Sequence, residues 1–211
     1  MADLSSLSVF LDFDGTVAVE DTGVHLLQRL APNGWQAIDA DYVSGRIGSR
    51  ECIVQEWAML PRDEVMLRAT AREVPIDPAF GPLVDGLRAA GAEVCIVSDG
   101  FGFYAEEIGA AFGVEVLTNV VDFDRGELSF PNLDRCCACS SCGTCKQAPL
   151  KDARRRGRTA VLVGDGASDR KAALLAQRLF AKGDLAEWCE LGDVPYEPFT
   201  TLADVHRALL G

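Results

Sequence analysis

Hydrophobic and polar positions fall into two rhythms along this chain. Three short apolar runs, residues 7–12 (LSVFLD), 92–98 (AEVCIVS) and 159–164 (TAVLVG), lack the alternation of a half-exposed strand. They are too short for buried helices, so they predict strands covered on both faces. Each runs into an acidic, glycine-bearing turn: DFDG, SDG and GDG. The stretches between them, such as 79–90 (AFGPLVDGLRAA) and 102–112 (GFYAEEIGAAF), carry the helical period. Buried strands alternating with helices predict an α/β fold, a doubly wound, Rossmann-like parallel sheet. Ligands of such sheets bind beyond the carboxyl ends of the strands. All three acidic turns fall there.

Residues 18–75 follow a different rhythm. Segments 23–31, 37–44, 49–59 and 63–73 have helical patterning with no strand between them, and Pro32, Asn33, Gly34 and Pro61 punctuate the series. We read residues 18–75 as a small helical domain inserted into a core made of 1–17 and 76–211. Within that core, 114–130 predicts a strand pair turning at Asp124-Arg125-Gly126, and 179–210 predicts one more strand and two helices.

Composition narrows the function. The chain has 211 residues, 48% apolar, with 20 basic and 32 acidic side chains and a formal charge of −12. That balance opposes nucleic-acid and anionic-membrane partners, which need basic surfaces. No apolar run approaches a membrane span, and no basic stretch precedes the first apolar one, so a cytoplasmic protein is expected. A monomer or homodimer acting on a small molecule fits this picture.

The acidic turns supply candidate chemistry. If Asp12 and Asp14 alternate along the first strand, both project to one side. Two carboxylates so close repel unless a cation or shared proton intervenes, and magnesium would serve, neutralising phosphate oxygens as well. One carboxylate can then act as nucleophile and the other as acid and base. In Ser98-Asp99-Gly100, a hydroxyl and free N–H groups suit a phosphate oxygen; an ordinary helix N-cap is the plainer alternative. Asp99 would repel an anion, so its side chain is expected to turn away. Asp165 is placed to share a cation with Asp12. Asp169, one helical turn on, could orient the metal shell or Lys146, or simply cap a helix. Lys146 opens the helical segment 146–156, where it could offset the carboxylates; Lys151 is its competitor.

In that order, DFDGT, SDG, a lone lysine and GDGASD resemble the four motifs of haloacid dehalogenase-like phosphatases, and the likeness spans nearly the whole chain. The inserted helices look like the C1 cap of subfamily IB. The resemblance implies a magnesium-dependent phosphomonoesterase with an aspartyl-phosphate intermediate. It makes Asp12 the nucleophile and Asp14 the general acid and base. Magnesium would be held by Asp12, Asp165 and the backbone carbonyl of Asp14, with Asp169 behind them. Phosphate would be held by Lys146 and the Ser98-Asp99-Gly100 turn. DFDGTVAVEDTGVHLLQRLAPNGW, SDGFGFYAEEI and CGTCK are similar to the branch of the 2-hydroxy-3-keto-5-methylthiopentenyl-1-phosphate phosphatases of methionine salvage. Phosphoserine phosphatases are the neighbouring branch. Glu20 could match their cap glutamate, but Arg50 comes too early for their arginine. Trp35, Tyr42, Trp57, Met59, Phe101 and Phe103 are candidates to line the cavity.

Five of the eight cysteines lie within ten residues, and Cys136, Cys139, Cys142 and Cys145 recur every third position. Four thiolates at that spacing suit a structural zinc. An iron–sulfur cluster, disulfides, or a loop with no metal stay open beside it. Two other functions compete with hydrolysis: a non-catalytic metal- or redox-sensing protein on the same fold, and transfer of the phosphoryl group to an acceptor other than water.

Overall fold

The computed structural model describes residues 4–31, 33–133 and 141–211. The first strand, β1 (Leu7–Leu11), is buried along its whole length. Four helices follow before the next strand: α1 (Thr22–Leu30), α2 (Trp35–Val43), α3 (Ser49–Trp57) and α4 (Glu64–Ala71). Local chemistry starts two of them. The Asp21 carboxylate accepts the N–H of Val24 at 2.8 Å, and Asp63 accepts that of Met66 at 3.0 Å, each satisfying a donor that the first helical turn leaves unpaired.

The chain then enters α5 (Phe80–Ala89), β2 (Glu93–Val97), α6 (Phe103–Phe112) and β3 (Glu115–Leu117). A two-stranded antiparallel ribbon comes next, β4 (Val120–Asp122) with β5 (Glu127–Ser129). After it run α7 (Gln147–Arg155), β6 (Thr159–Gly164), α8 (Arg170–Ala173), β7 (Arg178–Ala181), α9 (Gly183–Leu191), β8 (Glu197–Pro198) and α10 (Leu202–Leu210). Six strands make one sheet in the order β3-β2-β1-β6-β7-β8, every neighbouring pair parallel.

The apolar strands explain why helices cover both faces. Successive side chains point to opposite sides of a sheet. Val9, Leu11, Val161 and Val163 join one buried cluster with Phe80, Leu83 and Leu87 of α5. Phe10, Ala160 and Leu162 join another with Leu150 and Ala153 of α7 and Leu185 of α9. The doubly wound core expected from the sequence is therefore present. Strand order reverses at β1: β2 and β3 build outward on one side, and the chain then returns to place β6 on the other. That reversal puts the crevice at the carboxyl ends of β1 and β6.

Two expectations need adjustment. The strand pair anticipated in 114–130 is three strands: β3 extends the large sheet, and only β4 and β5 form the ribbon. The tail holds a second short strand, β8, too short and too polar to show a pattern. The four helices after β1 leave and rejoin the chain at one point, where Ala18 bridges Ile76 and the Val19 N–H reaches the Pro75 carbonyl at 3.0 Å. Their apolar faces, through Leu26, Ile53, Trp57 and Leu67, pack into the same cluster as α5. Trp57 also donates its indole N–H to the carbonyl of Gly126 at 2.9 Å, tying α3 to the ribbon turn. No helix among the described residues is long and apolar enough to cross a membrane.

Candidate active site

The site begins where β1 stops. The strand ends at Leu11, and the chain then coils through Phe13–Val17. Gly15 is at φ +72, a conformation that favours glycine, and a Cβ there would run into the Asp165 carboxylate. This corrects the expectation that Asp12 and Asp14 share one side of a strand: Asp14 lies beyond the strand, in the coil. Both still line one cavity of about 180 Å³.

The Asp12 Oδ1 atom accepts the N–H of Phe13 at 2.7 Å and is 2.6 Å from the Lys146 ammonium. Lys146 caps α7 and is 4% exposed. Its three N–H donors meet Asp12, the Asp169 Oδ1 at 2.8 Å and the Ser168 hydroxyl at 2.8 Å. Burial works against the lysine's charge, but Asp12 and Asp169 together hold its pKa above the ordinary value. Asp169 is fully buried. Its second oxygen accepts the Gly166 N–H at 3.3 Å, which fixes the turn after β6 against the lysine. Asp165, at the head of that turn, accepts the Thr16 hydroxyl at 2.7 Å, joining the two motif turns directly.

Carboxylate oxygens of Asp12, Asp165 and Asp169 lie within 4.8 Å of one another, the one such acidic group among the described residues. Burial, then the Asp169 charge, raises the Asp12 pKa well above the ordinary carboxylate range. Burial raises Asp165 to about 6, against the pull of its Thr16 bond. One lysine cannot balance three crowded carboxylates, and an all-oxygen donor set suits a hard divalent cation. The residues present fit such an ion.

Asp14 is held differently. One oxygen accepts the Thr22 N–H at 2.9 Å and the other the Tyr104 hydroxyl at 3.1 Å. Tyr104 is itself fixed, since its oxygen accepts the Phe101 N–H at 3.2 Å. Burial, reinforced by the Asp21 charge, raises Asp14 to about 8.

The second motif turn closes the floor. Ser98 is fully buried, and its hydroxyl accepts the Gly100 N–H at 3.1 Å. Helix α6 begins only at Phe103, after Gly102, so Ser98 is not its N-cap. Gly100 lines the cavity and Ser98 does not. A Cβ on Gly100 would lie 2.6 Å from an Asp14 oxygen, so the backbone approaches that carboxylate as closely as it can. The Asp99 carboxylate accepts the Thr144 N–H at 2.6 Å, the Asn119 amide at 3.3 Å and the Ser49 hydroxyl. It thereby ties α3 and the segment before Lys146 to the core.

Several residues in this network had no role legible in the sequence. Thr16 closes the DFDGT motif and Tyr104 lies within SDGFGFYAEEI, but nothing in those stretches assigns either a role, and Asn119 and Ser49 meet Asp99 only through the fold. Of the aromatic candidates, Tyr42 and Phe101 line the cavity. Trp35, Trp57, Met59 and Phe103 pack in the core instead. Glu20 is exposed, and neither it nor Arg50 reaches the cavity. Of the cysteine run, Cys136 and Cys139 lie outside the described residues; Cys142 is half-buried and Cys145 buried.

Comparison with known proteins agrees with this geometry. Residues 9–174 match the family model for haloacid dehalogenase-like hydrolases. The chain is 30% identical to a 2-hydroxy-3-keto-5-methylthiopentenyl-1-phosphate phosphatase of Brevibacillus brevis, over 96% of this chain and 95% of that one. It is 29% identical to a protein of the same name from Geobacillus thermodenitrificans, over 94% and 93%. Among solved structures, a phosphoserine phosphatase with an analogue of its phospho-aspartyl intermediate superposes with a TM-score of 0.73 at 16% identity, covering 96% of this chain and 98% of that one. A phosphoserine phosphatase from T. onnurineus superposes with a TM-score of 0.71 at 17% identity, over 100% and 98%.

Proposed function

This chain belongs to the haloacid dehalogenase-like hydrolase family, and we propose that it is a magnesium-dependent phosphomonoesterase that carries the phosphoryl group on Asp12. The observation that carries the reading is the Asp12–Lys146–Asp169 contact, a buried carboxylate aimed at the strand ends and held by a lysine from another element. Both bonds to Asp12 fall on Oδ1, so Oδ2 is the atom we assign to attack phosphorus.

Attack forms the Asp12 Oδ2–phosphorus bond and breaks the ester bond, and Asp14 gives its proton to the departing alkoxide. Asp14 then takes a proton from water, whose oxygen attacks the acyl phosphate and frees Asp12 and inorganic phosphate. Lys146 and the backbone of the Ser98-Asp99-Gly100 turn are the groups we assign to the phosphoryl oxygens. Asp12, Asp165 and the Asp14 carbonyl would hold magnesium, with Asp169 behind them; when bound it supplies neutralisation of the crowded carboxylates and of phosphate charge.

The same proposal takes residues 18–75 as a cap over a core of 1–17 and 76–211, supported by the common entry and exit point at Ala18 and Ile76. It places the substrate among small sugar-like phosphates, of the kind named for the Brevibacillus and Geobacillus relatives. It also keeps a structural zinc on Cys136, Cys139, Cys142 and Cys145, supported by their spacing and tested by the metal content of purified protein.

The test is phosphate release, with and without magnesium, from the methylthiopentenyl phosphate, phosphoserine and nucleoside monophosphates. Magnesium-dependent turnover that disappears in Asp12→Asn is expected. Full activity in Asp12→Asn, or indifference to magnesium, would overturn the reading.

A further inference from the structure

We propose that the helical wall of the cavity, through Asp39 of α2 and Glu56 of α3 with Asp21 before α1, is a charge filter. It admits phosphomonoesters whose alcohol is neutral or cationic and turns away those bearing a second anion. The proposal deepens the phosphatase reading and rests on it.

Seven of the nineteen residues lining the cavity are carboxylates, and among the described residues no arginine, lysine or histidine joins them. On the core side the carboxylates have partners: Asp12 meets Lys146, Asp165 meets Thr16, and Asp99 meets Thr144 and Asn119. A magnesium ion on Asp12 and Asp165 would neutralise that end further. Among the described residues the helical end has less compensation: no cationic side chain lines it, and Lys146 acts on Asp21 only from the core side. Asp21 accepts only backbone N–H groups of its own helix start. Glu56 stands one turn after Cys52 on the same helix, the neighbour that draws its pKa down.

An alcohol carrying a carboxylate would bring its charge against Asp21 and Asp39, and against Glu56 where that group is ionised, with no cation among the described lining residues to receive it; such like-charge juxtaposition is unfavourable. A hydroxyl or ammonium group would find acceptors there instead. The rings of Tyr42, Phe101 and Tyr104 also line the cavity, and aromatic faces attract cations. Arg50, on the same helix as Glu56, is absent from the lining. The filter is therefore a property of the wall as folded.

The test uses three matched esters: O-phosphoethanolamine, O-phosphoserine, which adds one carboxylate, and glycerol 1-phosphate, which is neutral apart from its phosphate. With magnesium present, kcat/KM for the first and third should exceed that for phosphoserine by about tenfold or more. Glu56→Gln and Asp39→Asn, singly and together, should narrow the gap, chiefly by raising kcat/KM for phosphoserine; the single variants serve if the double variant does not fold. Calorimetric binding of the same esters to Asp12→Asn reads the filter without turnover. Equal handling of phosphoserine by the wild type, or a ratio unmoved by the variants, overturns the filter. Absence of phosphate release from every ester, with the binding preference intact in Asp12→Asn, would instead overturn the phosphatase reading and leave the filter standing.

Discussion

The two ends of the cavity are built on opposite principles. At the strand ends, every charged group is locked to a group distant in the chain: Lys146 to Asp12 and Asp169, Asp165 to Thr16. At the helical end, among the described residues, Asp21 accepts backbone N–H groups of its own helix start, and the neighbour that draws the Glu56 pKa down, Cys52, is on the same helix. Preorganised charge costs little reorganisation during reaction, which is what phosphoryl transfer requires. An acidic wall without cationic partners in its lining can sort substrates by charge. On the proposed function, chemistry and selectivity thus fall to regions with different bonding patterns.

Breaking the strand end should have the largest effect. Lys146→Met leaves Asp12 and Asp169 buried without their cation. We expect a stability loss of about 3 to 5 kcal/mol by urea denaturation and a fall in kcat of about 10²-fold or more. A variant as stable as wild type would show that the triad is not the structural centre assigned here. Next comes Tyr104→Phe, which removes the hydroxyl bonded to Asp14. With leaving-group protonation less well oriented, kcat should fall about tenfold and KM hardly change; a change confined to KM would put Tyr104 in binding instead.

Thr16→Val sharpens the comparison from the metal side. It frees the Asp165 oxygen that Thr16 now holds, so half-saturation by magnesium should rise about tenfold, as for other lost partners of metal ligands. Activity at saturating magnesium should largely return, and the magnesium titration separates the two. The smallest effect belongs to the helical end. Burial, and then the charges of Asp21 and Asp39, raise Glu56 to about 7 against the pull of Cys52. Glu56 therefore gains charge as pH rises from 6 to 8. The preference for phosphoethanolamine over phosphoserine should widen about two- to threefold across that range, and Glu56→Gln should flatten it. The ratio cancels any pH effect on steps common to both esters.

The same contrast explains what could be read from the chain beforehand. Asp12, Ser98 and Asp165 each sit within a residue or two of the end of a buried apolar strand, so a local pattern together with the parallel-sheet rule places all three at one crevice. Lys146 carries no local signal of its own, and its place came from motif order; the structure puts its ammonium 2.6 Å from Asp12. Tyr104 and Thr16 lie in stretches that carry the resemblance, but their roles were not legible, because the partners that define them lie 90 and 149 residues away in sequence. The acidic wall was equally hidden. Asp39 and Glu56 stand on helices whose surface charges look like ordinary solvated positions, and only the packing of α2 and α3 beside the strand ends brings them to the cavity. Aromatic candidates divided for the same reason: Trp57 is as apolar as Phe101, but its indole is taken by the Gly126 carbonyl.

The central claim is that Asp12 carries the phosphoryl group. Its most direct measurement is an acid-quenched single turnover with magnesium and a good substrate, followed by mass spectrometry of the peptide containing Asp12. The account requires a phosphoryl group on Asp12 during turnover, gone at completion and absent from Asp12→Asn. Turnover with no phosphorylated peptide, or with the group on another residue, would contradict it.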